Sequence, residues 1–398
     1  MNKAYVAGTL DTKGPELRYL RDLLVAAGVP AVLVDVGTTR PGEGADITVS
    51  EVAACHPDGA DAVFTGDRGS AVAAMAEAFA RFLQGRADLG GVIGAGGSGN
   101  TTIVSAGMRA LPVGLPKVLV STLGSGDVRP YVGASDICMM NAVTDVQGIN
   151  SISRTVLGNA AHALAGMMQH RVPAPEVADK PAVALSMFGV TTPCVQAVAA
   201  ALEDRFDCLV FHATGTGGQA MEKLVDSGLV RAVVDVTTTE IADELVGGIL
   251  SAGPERLDAV IRTGVPWIGS VGALDMVNFG PRASVPERFA NRQLYVHNPT
   301  VTLMRTTPEE NARIGAWLVA KINRMTGPVR FLLPLGGVSV IDVPGMPFHD
   351  PDADQALFQA IRTGWQEAPG RQLIELPHAL NDPEFAAALV DCFHQIVR

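Results

Sequence analysis

Short apolar runs alternate with amphipathic segments from one end of the chain to the other. The run AYVAG is followed by GPELRYLRDLLVAAG, in which Leu17, Leu20 and Leu24 recur at helical spacing. The uninterrupted run AVLVDVG then has the pattern of a strand that is covered on both faces of its sheet. This alternation predicts an α/β protein with mostly parallel sheets and helices on both faces.

The alternation is interrupted once and then begins again. Further strands are predicted at DAVFTGD (61–67), GGVIGAGG (90–97) and, after the interruption, AVALSMFG (182–189). The interruption is HRVPAPEVADKP, whose three prolines and mixed charges are typical of an exposed linker. We therefore predict two Rossmann-like domains, residues 1–175 and 176–398.

Composition and charge exclude several classes of protein. Hydrophobic residues make up 47% of the 398 residues and charged residues 18%, which favours large buried cores over disorder. The formal net charge is −11 and no run of lysine or arginine occurs, so nucleic acid is not an expected partner. No apolar run reaches the roughly 18 residues of a membrane helix, so no membrane association is expected.

The cysteines and the first residues bear on the compartment. The five cysteines are scattered and contain no C-x-x-C pair, which is typical of a reducing environment. The first residues, MNKAYVAGTLDTKG, turn polar after a short apolar run and fit a first strand better than a signal peptide. We therefore expect a cytoplasmic protein.

The segment GVIGAGGSGNTT has the frame of a phosphate-binding loop. Gly94, Gly99 and Thr101 fit the pattern G-x-x-x-x-G-K-[ST], but Asn100 stands where the lysine belongs. Glycines let backbone N–H groups approach a phosphate, and a following helix contributes its positive end. Without the lysine, nucleotide binding without rapid hydrolysis is the simpler expectation.

Other loops of the first domain share this chemistry. Lys13 and Arg68 are expected to supply the missing cation, and Asp35 or Thr38 to contact the sugar. Each loop taken alone also fits a plain turn, and the prediction depends on their common position at one sheet edge. The predicted nucleotide-binding residues are Gly8, Thr9, Asp11, Thr12, Lys13, Asp35, Gly37, Thr38, Gly66, Asp67, Arg68, Gly94, Gly96, Gly97, Ser98, Gly99, Asn100, Thr101, Thr102, Ser121 and Thr122.

Candidate catalytic groups in the second domain are Cys194, His297 and His349. Cys194 is predicted near a helix N-terminus, where the dipole lowers the pKa of a thiol, although a cysteine that packs the helix is the more common case. The histidines follow strands and could act as acid or base, or simply tie two loops together. In FHDPDAD, Asp350 or Asp352 is expected to cap a helix, and no metal site is predicted.

Several motifs together resemble the Tm-1-like ATP-binding domain family. They are GTLDTKGPEL, GGVIGAGGSGNTT, SMFGVTTPCV, FHATGTGGQAMEKL and VTTTEIADEL. The resemblance implies two Rossmann-like domains, ATP binding in the first and dimerisation. It also suggests a separately encoded TIM-barrel protein as a partner, because some relatives carry such a domain in the same chain.

Two main hypotheses follow. The first is an ATP-binding protein, with Mg²⁺ as the accompanying ion, that uses ATP slowly or as a regulator. The alternative is a metabolic enzyme acting on a small phosphorylated or carboxylated substrate in the cleft between the domains, with Cys194, His297 or His349 as catalytic groups. A third reading, an interaction platform with vestigial loops, predicts no bound small molecule.

Overall fold

The computed structural model describes residues 2–39, 41–172 and 180–397. The chain forms two compact units, Met1–Ala174 and Pro175–Arg398, called here the N-terminal and C-terminal units. The predicted domain boundary at residue 175, within the predicted linker, lies outside the described residues. Each unit has a parallel sheet flanked by helices, which confirms the predicted α/β class.

The N-terminal unit is built on one parallel sheet with the strand order β2-β1-β3-β4-β5. Its strands are β1 (Lys3–Gly8), β2 (Ala31–Asp35), β3 (Leu89–Gly96), β4 (Lys117–Ser121) and β5 (Cys138–Asn141). Its helices are α1 (Leu10–Ala26), α2 (Val49–Ala53), α3 (Arg68–Gln84), α4 (Ser98–Arg109), α5 (Arg129–Val132) and α6 (Ser151–Gln169).

The centre of this sheet is fully covered. Every residue of β3 is buried, as expected for a strand between two helical layers. A Cβ on Gly94 would lie 2.9 Å from the carbonyl oxygen of Ala7 and from a methyl group of Val104, so α4 packs directly on the strand. The strand predicted at residues 61–67 does not form, because only Val63 of that run is buried and Phe64 is exposed.

The C-terminal unit has a larger parallel sheet, β14-β13-β9-β8-β6-β7, and a small antiparallel sheet, β10-β12-β11. Its strands are β6 (Ala182–Met187), β7 (Asp207–His212), β8 (Ala232–Thr237), β9 (Trp267–Gly272), β10 (Met276–Phe279), β11 (Leu294–Asn298), β12 (Val301–Arg305), β13 (Val329–Pro334) and β14 (Arg371–Leu376). Its helices are α7 (Thr192–Leu202), α8 (Thr216–Asp226), α9 (Thr239–Val246), α10 (Asp258–Thr263), α11 (Pro308–Ile322), α12 (Pro351–Gly364) and α13 (Pro383–Ile396).

Helix starts in the C-terminal unit follow the sequence signals. The Thr307 hydroxyl accepts from the Glu310 amide at 3.2 Å, and the Glu310 carboxylate accepts from the Thr307 amide at 2.9 Å. Asp350 caps α12 by accepting from the Ala353 amide at 3.1 Å, as predicted. No helix in the described part of the chain is long and apolar enough to cross a membrane.

Both parallel sheets begin with the same topology. In each unit the chain passes from its first strand to a neighbour on one side, and then crosses to a neighbour on the other side. The connections that follow the first and third strands of such a sheet run in opposite directions. A crevice forms between the carboxyl ends of these two strands, and ligands bind there in open α/β folds. In the N-terminal unit this position lies between β1 and β3.

Candidate functional site

A cavity of about 480 Å³ lies at the carboxyl ends of β1 and β3. Thr9 follows β1 directly and Gly97 follows β3 directly, so the two loops meet at the crevice. The structure brings these predicted residues together in the cavity wall: Thr9, Asp11, Thr12, Lys13, Thr38, Gly66, Asp67, Arg68, Gly97, Ser98, Gly99 and Asn100.

The starts of α1 and α4 both lie at this cavity, but the first amide of α1, that of Leu10, donates to the Asp35 carboxylate at 3.2 Å. Neither Thr9 at the start of α1 nor Gly97 at the start of α4 makes a side-chain cap. The first amides of a helix have no acceptor within the helix, and the dipole adds positive potential there. By contrast, α3 is capped by the Asp67 carboxylate, which accepts from the Ser70 amide at 2.8 Å. The amides of Ser98, Gly99 and Asn100 are therefore suited to an anionic ligand.

Lys13 and Arg68 add two positive charges to the cavity wall. Within the described residues, neither side chain forms an ion pair with a carboxylate. A Cβ on Gly99 would lie 3.9 Å from the Arg68 Nη2 atom, so the guanidinium lies beside the first turn of α4. Both cations are available to a ligand.

Three carboxylates line the same cavity, those of Asp11, Asp67 and Asp145. Asp11 accepts from the Thr39 hydroxyl at 3.0 Å, which joins the loops after β1 and β2. Hydrogen bonds from the backbone and hydroxyl of Ser70 lower the pKa of Asp67. The described residues contain no group of three or more His, Cys, Asp or Glu placed to hold a metal ion. A cation here would need ligands from a bound anion as well.

Asn100 does not replace the missing lysine in function. Its side chain is 5% exposed and donates to the Ala95 carbonyl at 3.0 Å, so it holds the turn between β3 and α4. Thr101 and Ser121, hydroxyl to hydroxyl at 2.7 Å, join α4 to the end of β4. These contacts make the phosphate-loop frame rigid, and the positive charge of the site comes from the first turns of α1 and α3.

Asp35 contacts the loops and is not placed to contact a sugar. Its carboxylate is buried and accepts from the amides of Leu10, Gly37 and Gly42 at 3.2, 3.0 and 2.6 Å. Both oxygens are therefore engaged by backbone. The predicted residues outside the cavity wall are Gly8, Asp35, Gly37, Gly94, Gly96, Thr101, Thr102, Ser121 and Thr122.

Part of the cavity wall was not predicted from the sequence. The wall also contains three apolar residues, Ala71 and Val72 of α3 and Ile103 of α4. Asp145 follows β5, and its position after a parallel strand was the signal that could have revealed it. These residues add apolar surface beside the charged groups, since the Arg68 guanidinium and a Val72 methyl group both lie 3.9 Å from a Cβ placed on Gly99.

The glycine-rich loop of the C-terminal unit is filled by a side chain of the protein itself. The Glu240 carboxylate accepts from the amides of Gly215 and Gly218 at 2.7 and 3.0 Å, at the N-terminus of α8. Arg256 donates to Glu240 at 3.0 Å and to Asp235 at 2.7 Å. The loop HATGTGGQA thus binds an internal carboxylate, and a phosphate has no room there.

The candidate catalytic groups of the C-terminal unit have different environments. Cys194 is 1% exposed, and burial raises the pKa of its thiol to about 12. Cys194 is therefore a helix-packing cysteine, which the sequence favoured as the more common case, because desolvation outweighs the helix dipole. His297 in β11 and His349 before α12 are both exposed. His212 is also exposed, and its ring stacks on Phe188 with centroids 5.3 Å apart.

We expect Cys194 to resist alkylation by iodoacetamide in the native protein at pH 8. Cys138 is exposed and is the matched control, which should react at an ordinary thiol rate. Peptide mass mapping over a time course gives both rates, and both cysteines should react in urea. Equal native rates for Cys194 and Cys138 would contradict the burial described here.

Comparisons with known proteins agree on the family. The chain matches two family domains described as "Uncharacterised protein family (UPF0261)", the N-terminal domain over residues 2–173 and the C-terminal domain over residues 180–397. A UPF0261 protein of Rhizobium meliloti is 57% identical over 397 residues, covering 100% of this chain and 99% of that protein. A UPF0261 protein of Clostridium tetani is 45% identical, covering 97% of each chain.

A plant relative extends the comparison. The ToMV resistance protein Tm-1 of Solanum lycopersicum is 41% identical over 419 residues, covering 99% of this chain but 56% of the tomato protein. The match of both domains and of nearly complete relatives confirms the Tm-1-like resemblance seen in the motifs. The chain therefore belongs to the UPF0261 family.

Proposed function

We propose that the N-terminal unit binds ATP in the cavity between the loops that follow β1 and β3. The phosphates contact the amides of Ser98, Gly99 and Asn100, and Lys13 and Arg68 neutralise their charge. The base packs on the apolar residues of the cavity wall, and the sugar lies near Thr38.

The observation that carries the proposal is the uncapped N-terminus of α4 at the topological switch point of the sheet. α3, which opens onto the same cavity, has its own carboxylate cap, so a capped start is attainable in this unit. Lys13 and Arg68, which form no ion pair with a carboxylate in the described part of the chain, add positive charge at the same cavity. Together they favour a multiply charged anion over a neutral ligand.

Mg²⁺ is the proposed companion of the nucleotide. Asp11 and Asp145 bring negative charge to a site that is otherwise suited to phosphates. Mg²⁺ is usually held by one or two carboxylates together with substrate phosphates, so these residues fit that role. The ion would reduce the repulsion between the carboxylates and the nucleotide.

The proposed use of ATP is slow or regulatory. Phosphate-loop hydrolases place a lysine on the β- and γ-phosphates, and Asn100 at that position is uncharged and bonded to the backbone. Lys13 belongs to α1 and neutralises charge without being part of that turn. Dimerisation, a cytoplasmic location and a separately encoded TIM-barrel partner stay predictions from the sequence and the family resemblance.

Replacing Lys13 with methionine is expected to weaken ATP binding by roughly ten- to a hundredfold, since a charge-assisted hydrogen bond contributes about 1.5–3 kcal/mol. Isothermal titration calorimetry with ATP and Mg²⁺ measures the change. Lys3→Met is the matched control, because Lys3 begins β1 at the other end of the strand and pairs with Asp88 at 3.0 Å. The control should bind ATP as the unmodified protein does.

The same titration separates the proposal from the metabolic-enzyme alternative. Phosphoglycolate, a small compound with both a phosphate and a carboxylate, is the comparison ligand. Tighter binding of phosphoglycolate than of ATP, with the same sensitivity to Lys13→Met, would favour the alternative. Equal ATP affinity in the Lys3 and Lys13 variants would argue against the proposed position of the phosphates.

A further inference from the structure

We propose that the C-terminal unit contains a second ligand site, which binds a small uncharged polyol or sugar between the end of β13 and the start of α12. Asp354, Gln355 and His349 supply its hydrogen bonds. This inference does not depend on nucleotide binding, because it concerns residues of the other unit only.

The site is a cavity of about 320 Å³, at the lower end of the range for small-molecule sites. Leu335, Pro344 and Phe358 give it apolar walls, while Asp354, Gln355, His349 and Arg362 bring polar atoms to it. A sugar or polyol combines hydroxyl groups with C–H surfaces. The polar side chains of the cavity can bond the hydroxyl groups, and the apolar side chains can pack on the C–H surfaces. The cavity lies at the carboxyl end of a parallel strand, the usual edge for ligands.

Charge excludes strong anion binding at this cavity. Arg362 donates to both oxygens of Glu375, at 2.7 and 2.9 Å, so its positive charge is already compensated. The first turn of α12 carries Asp352 and Asp354, which offset the helix dipole. The remaining groups include both donors and acceptors, since a carboxyl accepts, and an amide and an imidazole can do both. An uncharged ligand with several hydroxyls suits that inventory.

Asp354 is held in one position by a buried arginine. The Arg305 Nη2 atom lies 2.8 Å from Asp354 and 3.1 Å from Asp342, and Arg305 is buried. Two carboxyls on one guanidinium nitrogen are too close for both to ionise easily, and burial raises the pKa of Asp342 to about 9. Burial raises the pKa of Asp354 as well, and Asp354 enters the cavity wall as part of this hydrogen-bonded network.

The same arginine fixes the backbone around His349. Its Nε atom donates to the Phe348 carbonyl at 2.8 Å, and Nη2 reaches the Asp350 carbonyl at 3.3 Å. In the part of the cavity wall that follows β13, Gly337 has φ +129°, and a Cβ there would lie 2.1 Å from the Asp342 carbonyl oxygen. Only glycine fits that position, so this wall is also rigid. A preorganised cavity loses little entropy when it binds a small ligand.

Saturation-transfer NMR with xylitol, D-glucose and D-gluconate tests the proposal on the full chain. The two uncharged probes should receive saturation from the protein, and D-gluconate should receive much less. Gln355→Trp places a ring in the cavity from an exposed position and should reduce the uncharged signals at least about tenfold. Gln359→Trp, one turn further along α12 and outside this cavity, is the matched control and should keep them.

Three results would overturn the proposal. They are the absence of transfer to both uncharged probes in folded protein, equal transfer in the Gln355 and Gln359 tryptophan variants, and stronger binding of D-gluconate than of D-glucose. Circular dichroism verifies the fold of each variant. If Gln355→Trp does not fold, Gln355→Leu removes the amide without adding a ring, and it should still weaken the transfer severalfold.

Discussion

Replacing Gly99 with aspartate is expected to reduce the affinity for ATP at least about a hundredfold while the fold stays intact. A Cβ at Gly99 meets only Arg68 and Val72, both at 3.9 Å, so the side chain has room. A carboxylate in the first turn of α4 stabilises the helix by about 0.3–1 kcal/mol. It also occupies the position proposed for a phosphate, where like charges about 4 Å apart repel by about 4 kcal/mol.

Gly99→Asn is the control for the charge, because it has the same shape as Gly99→Asp without the carboxylate. Calorimetric titration with ATP should show a modest loss for the asparagine variant and a nearly complete loss for the aspartate variant. Thermal unfolding should place both within a few degrees of the unmodified protein. Equal losses for the two variants would mean that the side chain acts by size, and the electrostatic account of the site would be wrong.

Replacing Arg256 with methionine is expected to destabilise the protein by about 3–5 kcal/mol, the range for removing one partner of a buried ion pair. Arg256 is 2% exposed and contacts three carboxylates, those of Glu222, Asp235 and Glu240, at 3.2, 2.7 and 3.0 Å. Without the guanidinium these acids would be left together in the interior. Glu240 would then no longer be held against the loop that begins α8.

Arg262→Met is the matched control, because Arg262 is largely exposed and pairs with Asp226 at 2.6 Å in the same unit. An exposed pair contributes about 0–1 kcal/mol, so this variant should unfold near the urea concentration of the unmodified protein. Urea denaturation followed by circular dichroism measures both free energies of unfolding. A loss below about 1 kcal/mol for Arg256→Met would show that the cluster is not held together by this side chain.

The sequence predicted the architecture well where periodicity determines it. Buried parallel strands such as β3 are continuous apolar runs, and amphipathic helices such as α1 repeat at 3.6 residues, so both leave a local signal. The same rule failed at residues 61–67, where the apolar run is short and only Val63 reaches the core. Burial depends on which neighbours cover a segment, and that information is not local.

The candidate site was predicted in part for the same reason. The loops after β1 and β3 carry glycine and threonine in a recognisable pattern, and parallel strands bring them to one edge. Which glycine-rich loop is filled by a side chain of the protein itself could not be predicted, because Glu240 lies 25 residues from Gly215, whose amide it accepts from. The hydrogen bonds of Asp35 could not be predicted either, since its three backbone donors come from separate positions along the chain.

A crystal structure of the chain with ATP and Mg²⁺ tests the central claim most directly. The account predicts phosphate oxygens within about 3 Å of the amide nitrogens of Ser98, Gly99 and Asn100. It also predicts that the Lys13 ammonium donates a hydrogen bond to the same phosphate. A nucleotide bound at another place, or a cavity without nucleotide in crystals grown at millimolar ATP, would contradict it.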